Sequence, residues 1–175
     1  MKENNYIFVE GAIDKLFIEK IFCEKLSLFG KNNYIIEYSN KEKKKIKNFI
    51  NSIEKMENAD YIFLTDQDGN KDKKQKIINS YPFLDEQKVF ISIYEIESWI
   101  ISGISKKIQK KYKIKPLGSD TSKITKEVFE NIMPKTLCKI EFIAFILDDY
   151  NIDNAIQLNE SLKIFYKYLE AKKAS

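Results

Sequence analysis

Neither histidine nor arginine occurs among the 175 residues, so all thirty basic side chains are lysine. The missing imidazole removes His-bound metal sites, Ser–His and Cys–His dyads and imidazole acid/base chemistry together. Cysteine is almost as scarce. Cys23 and Cys138 stand far apart without CxxC or metal-ligand spacing, and each is expected as a buried free thiol in a reducing cytosol. The longest uninterrupted apolar run, Phe142–Leu147, is far short of the roughly 20 residues of a membrane span. The N-terminal stretch carries Glu3 and lacks the character of a signal peptide. These absences point to a cytoplasmic chain whose chemistry rests on carboxylates, lysines, hydroxyls and a metal.

What is present is a globular composition, 43% hydrophobic and 32% charged, in a chain long enough for a substantial core. The net charge of +4 gives a weak preference for polyanions. Lysine abundance accompanies abundant isoleucine and asparagine, as A/T-rich coding produces, so where lysines cluster carries more information than their number. They cluster at Lys41–Lys47, Lys71–Lys76 and Lys106–Lys115, the last holding six lysines and no acid.

Along the chain, Tyr6–Val9, Tyr34–Tyr38, Tyr61–Leu64 and Lys88–Ile93 read as strands. Helical spacing appears over Ile13–Phe29, over Lys41–Glu57, in a short segment before Pro82, and over Glu95–Ser105. Continuously apolar strands alternating with helix-length crossovers predict an α/β fold with a parallel four-stranded sheet flanked by helices. Beyond Ser105 the pattern is helical, at about Thr125–Met133, Ile140–Asp148 and Glu160–Leu169. The expected organisation is an α/β core over 1–105 and a helical C-terminal extension over 106–175 packed on it. Trp99 and Ile100 are expected in the core, with stacking on a substrate as the other option.

Acids fall where such a fold places its ligands, beyond the carboxyl ends of the strands. Glu10 follows the first strand, with Asp14 four residues on. Asp66 and Asp68 follow the third strand, and Glu95 and Glu97 the fourth. Each alone is an ordinary turn or helix-start acid. Together they suit a hard divalent cation, Mg²⁺ or Mn²⁺, which relieves their mutual repulsion. An EF-hand is excluded, because Lys71 and Ile77 replace the glycine and glutamate that the calcium loop beginning at Asp66 requires.

The stretch Tyr6-Ile7-Phe8-Val9-Glu10-Gly11-Ala12-Ile13-Asp14 resembles the first motif of TOPRIM domains, and Tyr61-Ile62-Phe63-Leu64-Thr65-Asp66-Gln67-Asp68 resembles the second. Glu95-Ile96-Glu97-Ser98-Trp99 is similar to the Glu-x-Glu-Ser-Trp stretch of small stand-alone TOPRIM-like proteins related to OLD-family nucleases of bacterial defence loci. Ile124-Thr125-Lys126-Glu127 and Asn159-Glu160-Ser161-Leu162 resemble the tail of that group. The resemblance implies a Rossmann-like TOPRIM core and a metal-dependent nuclease. In it Glu10 is a metal ligand and general acid/base, Asp14 a supporting ligand, and Asp66 and Asp68 complete the main site. Glu97, with Glu95, serves the same or a second metal. A lysine that neutralises transition-state charge is also implied, with Lys126 the first candidate and Lys123 the second.

Two carboxylate-held metals can activate water and stabilise both phosphoryl oxygens without histidine, and lysine runs can hold a nucleic-acid backbone, DNA or RNA, as point charges. Topoisomerase activity is excluded by length. Remaining alternatives are a non-catalytic nucleic-acid- or partner-binding module and, ranked lower, an rRNA-processing TOPRIM ribonuclease. A partner ATPase or sensor fits the defence-type resemblance, and a homo-oligomer is one option for assembly.

Overall fold

The apolar runs become strands β1 (Asn4–Val9), β2 (Asn32–Glu37), β3 (Ala59–Asp66) and β4 (Val89–Ser92) in the computed structural model, which describes residues 2–67 and 72–174. They form one parallel sheet in the order β2-β1-β3-β4. β1 sits in register with both neighbours, placing Tyr6 beside Tyr34 and Tyr61. The chain leaves β1 towards β2 and then returns across it to β3. The order therefore reverses between β1 and β3, which makes that the topological switch point of the sheet.

Helices α1 (Ala12–Phe17), α2 (Lys43–Glu54) and α3 (Lys73–Ser80) occupy the crossovers. Strand periodicity divides the apolar side chains between the two faces. Phe8, Tyr61 and Phe63 pack with Tyr38 and with Ile46, Ile50 and Ile53 of α2 in one cluster, while Ile7, Val9, Ile62 and Leu64 are buried on the other face. Each such side chain contributes about 1.5–3 kcal/mol by leaving water. The single helix expected over Ile13–Phe29 is instead α1 followed by a π-helical stretch, Ile18–Lys25. Its wider turns show in the Leu26 N–H, which donates to Ile21 O at 2.9 Å. Ser27, at φ 48°, then ends the run.

The chain divides into two compact units, Met1–Ile91 with Tyr168–Ser175, and Ser92–Lys167. Helix α4 (Ile96–Ser102) is buried along its whole length and packed on α6 (Lys126–Ile132), α7 (Lys139–Asp148) and α8 (Ile152–Leu158) of the second unit. Helix α5 (Lys106–Tyr112) covers part of the lysine-rich run, and α9 spans Glu160–Ala174. Neither α5 nor α8 was evident as a helix from spacing.

In the first unit, Asp60 at the start of β3 is clamped by Lys88 at 2.8 Å and by Lys172 of α9. Burial pushes the Asp60 carboxyl up, but the hydrogen bonds and charges of Lys172 and Lys88 outweigh it and hold it below the usual carboxylate range. Burial likewise lowers Lys88, and Asp60 overcomes that to raise it. The Asp60 contribution is therefore present above the unfolded carboxylate pKa of about 3.9 and lost as pH falls through the lower folded value. The Lys88 contribution is present below about 10.4 and lost as pH rises through its higher folded value. Urea unfolding across pH is expected to show Asp60→Asn flattening the acid limb below about pH 4; an unchanged acid limb would contradict this assignment.

In the second unit, Trp99 and Ile100 are fully buried. The Trp99 indole N–H donates to Ser161 Oγ at 2.8 Å, and its ring stacks on Phe165. Ser161 in turn donates to Asn159 Oδ1 at 2.8 Å, and Asn159 Nδ2 reaches Ser98 Oγ and Thr121 Oγ1. Gly103 faces the Tyr150 ring so closely that a Cβ there would lie inside its van der Waals surface. Tyr150 is itself held by its hydroxyl, which donates to Trp99 O at 2.6 Å. Gly103→Ala is expected to cost about 2–3 kcal/mol by overpacking, measurable by denaturant unfolding.

The thiols differ from expectation. Cys23 is partly buried, whereas Cys138 is exposed because it occupies the N-cap of α7. Burial, with Glu19 and Glu24 adding to it, pushes the Cys23 thiol up to about 12. A thiol reagent at neutral pH is expected to modify Cys138 rapidly and Cys23 only after unfolding. Two equally fast thiols in the folded chain would refute the difference.

Candidate functional site

The carboxyl ends of β1 and β3 meet at the switch point, and their acids come with them. Glu10 directly follows β1, and Asp66 closes β3. The Glu10 oxygen Oε1 accepts three hydrogen bonds: from Thr65 Oγ1 at 2.5 Å, from the Asp66 backbone N–H at 3.1 Å, and from the Tyr38 hydroxyl at 3.1 Å. Such convergence fixes the orientation of the carboxylate. Its negative charge is felt by its neighbours. Burial first, and the Glu10 charge second, push the Tyr38 and Tyr81 hydroxyls upward. Asp14 is 5% exposed, and its Oδ2 accepts the Gly11 N–H at 3.1 Å, which caps α1. A Cβ on Gly11 would make only ordinary contact with that carboxylate. This glycine is therefore not demanded by crowding.

Glu10, Asp14 and Asp66 are thus placed by β1, α1 and β3 of the first unit. Asp68, the fourth acid expected there, lies outside the described residues. Among the described residues, no three Asp, Glu or Cys side chains gather closely enough to hold a metal ion. The donors at the switch point are all hard carboxylate oxygens. That set suits Mg²⁺ or Mn²⁺, since Mg²⁺ sites commonly use one or two protein carboxylates and fill the rest with water and substrate phosphate.

The other expected acids belong to the second unit. Glu95 is the N-cap of α4, and its carboxylate takes the backbone N–H of Lys126. The residue before it, Tyr94, has φ 65°, a left-handed backbone that costs a bulky residue on the order of 1–2 kcal/mol. Glu97 is 5% exposed and pairs with Lys139 at 2.7 Å; Lys139 also approaches Glu130 at 3.7 Å. The lysine that neutralises Glu97 is therefore Lys139. Lys126, by contrast, meets Glu95 through its backbone, and its side chain is exposed.

Three polar residues about these acids were not singled out from the sequence: Tyr38, Thr65 and Lys139. Thr65 adjoins Asp66, so strand alternation could have flagged it. Tyr38 and Lys139 reach their partners only through tertiary folding. The lysine-rich run borders two cavities of the second unit. One, of about 590 Å³, is lined by Lys113, Lys115, Asp120 and Asn131; the other, of about 470 Å³, by Lys106, Gln109 and Asn154; Pro116 and Leu117 line both.

Fold and site together define an open parallel α/β protein with carboxylates at its switch point. No protein-family model, curated protein or solved structure matches the chain.

Proposed function

We propose that this chain is a divalent-metal-dependent nuclease of TOPRIM type, similar to OLD-family enzymes and serving bacterial or phage defence. The supporting observation is the meeting of Glu10 and Asp66 at the β1/β3 switch point. Glu10 and Asp66, which meet at the switch point, are the residues that would hold Mg²⁺ or Mn²⁺, with Asp14 and Asp68 in the supporting places the resemblance implies; when bound, the ion would lower the pKa of water and offset phosphoryl charge. Thr65, Tyr38 and the Asp66 N–H hold Glu10 in one orientation, so that its charge is aimed before substrate arrives.

The substrate class is a nucleic-acid backbone, DNA or RNA, held by lysines as point charges. None of the six lysines of Lys106–Lys115 is ion-paired to a described carboxylate. They are available to phosphate.

Purified chain incubated with single-stranded DNA, duplex DNA and RNA is expected to cleave at least one in Mn²⁺ or Mg²⁺ and none in chelator. Cleavage that persists in chelator, or that survives Asp66→Asn, would defeat this reading. A non-catalytic nucleic-acid-binding module is the second reading, favoured by the absence of a three-acid group among the described residues. It gives binding indifferent to chelator and no turnover.

A further inference from the structure

β2 is an outer strand of the sheet, with β1 on one side only. The Asn32 N–H donates to Glu3 O at 3.0 Å and the Tyr38 N–H to Val9 O at 2.9 Å. The even-numbered residues of β2 therefore turn their backbone groups towards β1, and Asn33, Ile35 and Glu37 turn theirs outward. No backbone group of these three is hydrogen-bonded to a described residue. The Asn33 Oδ1 atom is also buried and has no hydrogen-bond partner among the described residues.

Exposed edges of soluble proteins are usually guarded by proline, by charged side chains, especially lysine, by a bulge or by shortness. β2, Asn-Asn-Tyr-Ile-Ile-Glu, has no proline and no lysine, and Glu37 at its end is its one charge. The opposite outer strand, β4, is only four residues long.

We propose that the outer edge of β2 pairs antiparallel with β2 of a second copy about a two-fold axis, joining two four-stranded sheets into one. This inference is independent of the nuclease reading. The register follows from geometry. In an antiparallel pair, residues that exchange both backbone bonds must both face outward, and only centring on Ile35 matches all three outward residues of each copy. Ile35 then lies opposite Ile35 of the second copy, and Asn33 opposite its Glu37.

The side chains agree with that register. An amide meets a carboxylate at both ends of the strand pair, and no like charges face each other across it. On the other face, Tyr34, 46% exposed and stacked on Tyr6 at 4.9 Å, comes opposite Ile36 of the second copy, an aromatic–β-branched pair. Glu37 also meets Lys15 at 3.7 Å.

Sedimentation equilibrium of the full chain at tens of micromolar is expected to give twice the 20.7 kDa chain mass. Ile35→Pro removes only an outward N–H, which an edge strand tolerates, and is expected to weaken association by at least about tenfold with unchanged circular dichroism. Ile35→Lys, which leaves the backbone intact, is expected to act in the same direction. In a Cys138→Ser background, Ile35→Cys is expected to cross-link under mild oxidation, because directly opposed hydrogen-bonded residues have Cα atoms about 5.5 Å apart, within disulfide range. A monomeric wild-type chain would overturn the proposal. So would a dimer that both Ile35→Pro and Ile35→Lys leave intact, since the interface would then lie elsewhere.

Discussion

Asn159→Ala is expected to lower the unfolding free energy by about 3–5 kcal/mol, a large effect for a substitution that removes only a small polar group. Asn159 is fully buried, and both ends of its amide are used. Nδ2 donates to Ser98 Oγ and Thr121 Oγ1, each at 3.3 Å, and Oδ1 accepts from Ser161 Oγ at 2.8 Å and from the Leu162 N–H at 3.1 Å. Alanine leaves these partners in a site that water does not reach, and each stranded buried group costs about 1–3 kcal/mol. Part of the network also positions Trp99 through Ser161, so the loss propagates into the packing against Phe165. Glu160→Ala is the control, since its pair with Lys163 is solvent-exposed and such pairs contribute about 0–1 kcal/mol. Denaturant unfolding of the two variants side by side decides the matter; equal midpoints would show that the network is not what holds this part of the chain.

The second expectation concerns chemistry. Glu10→Gln is expected to reduce metal-dependent cleavage by about 10³-fold or more, equivalent to roughly 4 kcal/mol of transition-state stabilisation. Glutamine is close to isosteric, and its amide oxygen can still accept from Thr65, Tyr38 and the Asp66 N–H, so the local fold persists while the charge is lost. Circular dichroism and nucleic-acid binding are therefore expected to remain near wild type. Cleavage within about threefold of wild type would remove Glu10 from the reaction. A fall in stability matching the fall in rate would assign it a structural role instead.

The alternation of apolar strands and helices was sufficient to anticipate the parallel sheet, because buried strands and amphipathic crossovers leave periodic marks. Glu10 and Asp66 were legible for the same reason: each follows a strand that periodicity locates. What escaped was non-local. Nothing in the spacing around Lys139 announces that it will neutralise Glu97, 42 residues away in sequence. The Glu-Ser-Trp and Asn-Glu-Ser-Leu stretches stood out as separate motifs. Folding makes Ser98, Trp99, Asn159 and Ser161 one hydrogen-bonded network, which accounts for these residue types by structure. The π-helical stretch was invisible because its apolar spacing is also that of an α-helix.

Asp60 and Lys172 are 112 residues apart, and the whole of the second unit, Ser92–Lys167, is threaded between them. During synthesis the sheet strands emerge first, yet the Asp60 clamp closes only after the intervening unit and most of α9 have been made. The first unit must therefore persist for a time with Asp60 held by Lys88 alone. Non-local closure of this kind slows folding. A ribosome-bound chain arrested before Lys172 is expected to be more open to proteolysis at the start of β3 than the released protein, a vulnerability set by the order of synthesis.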